Sequence, residues 1–186
     1  MPRFRSPLIR RSRGPRSGLR GRLVSWWILW RVPALVAIVA GLWWYGVRPI
    51  AYEQGWVPVT GRFAECGSGR GAEGCVVDGD TVIIGFGAER RRIRLTGFDA
   101  PEIEGTCPAE SRLAITARTA LTAWLAQGVF EWNGSDDPPR DQYGRELREV
   151  RRVAGDGTRE YLAETMITRG LARESGWGAE PVEWCE

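Results

Sequence analysis

Histidine and lysine are both absent from this chain of 186 residues. Without imidazole there is no histidine general base, no histidine ligand for zinc and no serine triad of the usual composition. Without lysine, every positive side chain is an arginine. Acid is missing from one region: residues 1–50 carry ten arginines and neither aspartate nor glutamate. Residues 51–186 hold the other 16 arginines against all 23 acids, so a part at +10 precedes a part at −7, and the formal net charge of +3 averages the two. A uniformly basic nucleic-acid binder is thereby excluded, because the part long enough to fold is acidic. Cysteines at metal-site spacing are missing as well: Cys66, Cys75, Cys107 and Cys185 contain no Cys-x-x-Cys, which together with the lack of histidine sets zinc aside. Catalysis is left to carboxylates or cysteine, and the length allows one core of ordinary size plus an appendage.

The appendage is a long apolar run. Residues 23–47 are apolar apart from Arg31, with Trp26, Trp27 and Trp30 at one end and Trp43, Trp44 and Tyr45 at the other. As a helix, this run sets the two aromatic clusters roughly 25 Å apart, close to the ~30 Å hydrocarbon thickness of a bilayer, with Arg31 near enough to one end to snorkel. A cleaved signal peptide calls for small residues after the apolar run, whereas Leu42, Trp43, Trp44 and Tyr45 follow Ala40 and Gly41, so an uncleaved anchor is expected. Arg3, Arg5, Arg10, Arg11, Arg13, Arg16, Arg20 and Arg22 precede the span. Positive residues stay on the cytoplasmic side, which sends the remainder outward, in a bacterial cell into the periplasm. The expected organisation is a basic cytoplasmic tail at 1–22, an anchor at 23–47, a linker at 48–56 and a domain at 57–186.

All four cysteines lie beyond the span, where thiols oxidise, so disulfides are expected. Four cysteines allow three pairings. Cys66 and Cys75 bracket a glycine-rich stretch at 67–74, a short loop that is easy to close, and Cys107 with Cys185 follows by elimination.

Within the domain, Val76-Val77 and Val82-Ile83-Ile84 flank Asp78-Gly79-Asp80-Thr81, and Arg92-Ile93-Arg94-Leu95 alternates polar with apolar. This pattern predicts a strand meander. Leu113, Ala117, Ala120, Leu121, Trp124 and Leu125 share one face of a helix that begins near Pro108 and stops at Gly128. Strands are predicted at 129–132 and 147–153, a turn at Gly155-Asp156-Gly157, and a second helix at 161–169 ended by Gly170. The fold class is α+β, built around a small barrel.

Taken singly, the polar motifs have ordinary readings. Asp78-Gly79-Asp80-Thr81 reads as a hairpin turn, Asp99-Ala100-Pro101-Glu102 as a turn or cap, and Asp141-x-Tyr143-Gly144-Arg145 as a loop with a salt bridge. An EF-hand is excluded, since Ile83 stands where that loop needs glycine. In this order and at these separations, however, together with Arg94-Leu95-x-Gly97 and Ile167-Thr168-Arg169-Gly170-Leu171-Ala172, they resemble the staphylococcal nuclease-like, or thermonuclease, family over roughly 57–173.

The resemblance implies an OB-type five-stranded β-barrel with packed helices, a fold suited to oligonucleotides, and a calcium-dependent phosphodiesterase acting on DNA or RNA. By that resemblance Asp80 and Asp99 are calcium carboxylates, the Ala100 carbonyl is a further ligand, and Asp78 lies close by. Hard oxygen donors of this kind suit Ca2+. Glu102 matches the general base that orients or deprotonates water. Arg94 and Arg145 match the arginines that grip the scissile phosphate, and Tyr143 a contact to the neighbouring phosphate. Gln142 stands where the best-known member has lysine, and Ser175-Gly176-Trp177 where it has a stacking tyrosine, so those contacts do not carry over. The acidic domain and the missing lysine motivate the alternative of a nuclease-like scaffold without useful catalysis. The partners implied are nucleic acid and, through the anchor, a membrane. Nothing points to a protein partner, and a monomer is expected.

Overall fold

The computed structural model describes residues 19–68, 72–176, 178–179 and 182–185, with backbone alone for 19–28. The arginines from Arg3 to Arg16, part of the glycine-rich loop, and Trp177 lie outside these residues. The chain divides into two compact units, Met1–Ile50 and Ala51–Glu186.

The described residues of the first unit, from Leu19 on, are helical. Helix α1 (Leu19–Leu42) runs into a π-helical turn at Trp43–Val47 and continues as α2 (Arg48–Gln54). Proline at position 49 explains the turn: its ring cannot donate and crowds the carbonyl four residues back, and the wider turn lets the Arg48 N–H reach Trp43 O instead. One helix here, Leu29–Gln54, is long and apolar enough to cross a membrane, and none of it is buried against protein. Leu35, Val36, Val39 and Leu42 are all more than half exposed. Residues 48–54, read from the sequence as a linker, are helical. Ala51, Tyr52, Glu53 and Gln54 carry no breaker, and two of them are held within the second unit: Glu53 pairs with Arg151 and Arg159, each at 3.0 Å, and the Tyr52 hydroxyl donates to Glu149 Oε2 at 2.6 Å.

The second unit is mixed α+β. A five-stranded sheet runs β2-β3-β4-β5-β8, from Phe63–Glu65, Gly74–Val76, Thr81–Ile84, Arg91–Leu95 and Glu146–Arg148. A four-stranded sheet runs β1-β7-β9-β10, from Val57–Val59, Phe130–Trp132, Val150–Val153 and Arg159–Tyr161. A third pair joins β6 (Phe98–Asp99) to β11 (Arg173–Glu174). Among the described residues no sheet closes on itself. The strand expected at 147–153 breaks at Glu149, so that β8 pairs with β5 in one sheet and β9 with β7 and β10 in the other.

Helix α3 (Pro108–Leu125) presents the predicted face to the core, burying Ala114, Ala117, Leu121, Trp124 and Leu125. Proline is tolerated at its start because the first N–H groups of a helix have no partner there. Helix α4 (Leu162–Thr168) is one residue shorter at each end than its sequence suggests and buries Leu162 and Met166. These meet Val76, Val82, Ile93, Leu95, Phe98 and Phe130 in one core. Both expected disulfides form, Cys66–Cys75 and Cys107–Cys185, the second fastening the residue before α3 to the chain end.

Candidate active site

The site grows out of the β4–β5 hairpin. Asp78 and Asp80 sit in the turn before β4, where the Asp80 N–H donates to Asp78 Oδ1 at 3.1 Å and the Val77 N–H to Thr81 O at 2.9 Å. Glycine between them is a matter of space: a Cβ on Gly79 would stand 2.6 Å from the Cβ of Ala100 and 2.9 Å from that of Ala117. Its absence lets the turn press onto α3 and brings Asp80 against the start of the 99–102 segment. That segment is itself fixed, because β6 pairs Asp99 with Arg173.

Asp80 is buried, 1% exposed, and its carboxylate is held from three sides. The Thr81 hydroxyl donates to Oδ1 at 3.0 Å, the Ala100 N–H to Oδ2 at 3.0 Å, and Arg94, directly opposite Thr81 on β5, reaches Oδ1 at 2.9 Å. The other arm of the Arg94 guanidinium donates to Asp99 Oδ1. Arg94 thus bridges the two aspartates expected as metal ligands. Burial pushes the Asp80 carboxyl up to about 7 and the charge of Asp78 adds to this, against the pull of Arg94, the Ala100 N–H and the Thr81 hydroxyl.

Glu102 is exposed at the rim. Its carboxyl is raised above the ordinary value, first by partial desolvation and then by the charges of Asp78 and Asp99, while Arg94 and Arg145 pull it down. All four charges act on Glu102, so the structure gathers Asp78, Arg94, Asp99, Glu102 and Arg145 into one neighbourhood. Arg145 comes from the turn before β8. Asp141 builds that turn by accepting the N–H groups of Tyr143 and Arg145, both at 2.9 Å, and it receives Arg145 Nε at 2.6 Å. Tyr143 is 74% exposed, with the Arg145 guanidinium 5.5 Å from its ring.

The donor set Asp78, Asp80, Asp99 and Ala100 is of the kind a hard divalent cation takes. The fit rests on Asp80, a carboxylate whose burial outweighs the pull of its partner Arg94. The arrangement is not a cage: Asp78, Asp80, Asp99 and Glu102 are not among the tightly gathered donor groups of the described residues. Arg94 holds the place between Asp80 and Asp99. Among the described residues the one tight donor group, Cys107 with Glu110 and Cys185, has both sulfurs in a disulfide.

No family model matches this chain, and neither does any curated protein. The functional reading therefore rests on the residues themselves. Two contributors were not visible in the sequence. Thr81 bonds the Asp80 carboxylate, in a position that reads as an ordinary β-branched strand residue. Buried Glu146 and Arg148 form an ion network with the partly exposed Arg91: Arg91 grips Glu146 through two bonds of 2.6 Å, and Arg148 reaches it at 3.1 Å. The only signal for that network was the polar alternation in Glu146, Leu147 and Arg148, which looks like a solvated strand.

Proposed function

We propose that this protein is a membrane-anchored, calcium-dependent nuclease that hydrolyses phosphodiester bonds of DNA or RNA outside the cytoplasm. The observation that carries the reading is the convergence of Asp80, Arg94 and Asp99, with Glu102 and Arg145 within electrostatic reach. Asp80 and Asp99, with the Ala100 carbonyl and Asp78 beside them, would hold calcium. The ion would supply positive charge to a phosphate oxygen. Glu102 orients and accepts a proton from water, its raised pKa making it a better base than an ordinary carboxylate. Arg94 and Arg145 neutralise the charge gathering on the phosphoryl group, and the exposed Tyr143 contacts the next phosphate. Two sheets sharing the strand that passes from β8 to β9 accord with a strongly bent OB-type barrel. The arginine-rich start and the disulfides accord with a cytoplasmic N-terminus and a periplasmic domain.

One observation favours the second reading, a nuclease-like scaffold with little catalysis: Arg94 already neutralises both ligand carboxylates. The two readings separate in a single-turnover comparison of the full chain and its Glu102→Gln variant on labelled single-stranded DNA, with calcium binding measured on the same samples. A nuclease gives cleavage that Glu102→Gln lowers by roughly 10²-fold or more while calcium affinity stays. Equal, negligible rates for both proteins support the scaffold.

A further inference from the structure

The arginines of the β4–β5 hairpin divide into two sets. Arg91, on the inward face, is occupied by Glu146. Arg90 and Arg92 are exposed, and among the described residues neither forms an ion pair. Arg112, Arg169 and Arg173 likewise form no ion pair among the described residues, whereas Arg118, Arg145, Arg151, Arg152 and Arg159 are all taken up by carboxylates. Successive side chains of a strand alternate, so Arg90, Arg92 and Arg94 project from one face of the extended chain at steps of roughly 6.6 Å. That step is comparable with the distance between neighbouring phosphates in an unstacked single strand. The row starts at the candidate active site, in Arg94, and ends at the hairpin tip.

At the tip stands Phe86, 76% exposed. Gly85 and Gly87 on either side have φ of +73° and +60°, and a Cβ at Gly85 would lie 2.5 Å from Glu89 O. The backbone on both sides of the ring is thus bent in ways that suit glycine, and it presents the aromatic to solvent. Glu89 is the one acid between Thr81 and Leu95. In a domain at −7, a line of free cations leading from the site to an exposed ring is a local reversal of charge.

We infer that this edge is an extended subsite for single-stranded nucleic acid, in which Arg92 and Arg90 hold successive phosphates beyond the scissile one and Phe86 stacks on a base. The inference rests on the nuclease reading for the place where the strand begins, and it assigns the substrate class: flexible single strands of at least three or four nucleotides. A duplex cannot lay one backbone flat on the row while offering a base to Phe86.

The test is binding of 5′-labelled oligothymidylates, about two to about eight nucleotides long, to the full chain in nanodiscs of zwitterionic lipid, with calcium chelated so that nothing is cut. Affinity of the wild type rises up to four or so nucleotides and then levels. Arg90→Ala with Arg92→Ala lowers affinity for the longest oligomer about tenfold and makes its salt dependence shallower by about 1.4 in log–log slope, two phosphate contacts' worth. Arg90→Lys with Arg92→Lys keeps the slope. Phe86→Ala weakens binding about fivefold or more with the slope unchanged. The subsite is overturned if the double alanine variant matches the wild type in affinity and slope, as it would if these arginines met anionic headgroups instead, or if affinity does not grow beyond a dinucleotide. Because no step requires cleavage, a protein that binds in this way but never cuts would refute the nuclease reading alone.

Discussion

Arg94 is the residue on which the account turns, because the same guanidinium is asked to hold two carboxylates and to grip a phosphate. It cannot serve both fully. In the present state it pairs with Asp80 and Asp99, and on the proposed reading calcium arriving there would meet a competing cation. Arg94→Gln therefore moves two quantities in opposite directions: calcium binding, read by isothermal titration, tightens about tenfold as the repelling charge leaves, while cleavage falls roughly 10²-fold or more with the loss of a phosphate donor. A looser calcium site in this variant would show that Arg94 orients the carboxylates rather than competing for them. Arg145 was expected beside them only from the family resemblance, whereas the proximity of Asp80, Arg94, Asp99 and Glu102 was legible because the hairpin and the segment after it bring them together. The Arg94 bridge was not, since a side chain's choice between a neighbour and an absent ligand leaves no trace in spacing.

Among the elements, β8 departs furthest from its sequence reading. Polar alternation in Glu146, Leu147 and Arg148 suggests one wet face, yet Glu146 and Arg148 are buried at 1% exposure each. They are tolerable there only because each has partners, and Arg140 adds a further bridge to Glu146 at 3.2 Å. Hydrogen bonds from Arg91 hold the Glu146 carboxyl below the usual range, with Arg148 assisting and burial opposing. A carboxylate whose folded pKa is depressed contributes stability that is fully present above its unfolded value, about 4.3, and is lost as pH falls through the folded one. Melting temperature in the wild type should thus decline as pH drops below about 5. Glu146→Gln should melt lower at pH 7, since arginines lose their counter-charge at a cost of about 3–5 kcal/mol, and should show a shallower acid decline. Parallel acid limbs in the two proteins would assign that decline to other groups. The short pairing of β6 with β11 was equally invisible, two residues being too few to form a pattern, although it fixes Asp99. Helix α3, whose apolar face repeats over several turns, was fully visible. Its N-terminus is fastened by Cys107–Cys185, which closes 78 residues of chain and stabilises by roughly 4 kcal/mol in the chain-entropy model. Reduction should lower the melting temperature by several degrees in a thermal scan, and an unchanged midpoint would show that the bridge adds nothing.

At the scale of the whole molecule, charge and hydropathy divide the chain into the same two parts that its contacts do, 1–50 and 51–186. Composition makes such a division legible because a helix apolar enough to cross a membrane and an acidic domain suit different solvents. If the arginines before the span remain cytoplasmic, protease added to intact spheroplasts removes everything beyond Tyr45 and spares the basic tail, as immunoblots of tags at either end would record. A protected domain would reverse the orientation. The central claim, that an acidic domain on this anchor cuts nucleic acid by means of a calcium-dependent carboxylate and arginine site, is tested most directly by following hydrolysis of labelled single-stranded DNA and RNA by the intact protein in nanodiscs, first with calcium, then with a chelator, then with calcium restored. The account predicts cleavage that stops on chelation and resumes on restoration. Correctly folded protein that leaves both substrates whole in calcium, or that cuts them equally well in chelator, would contradict it.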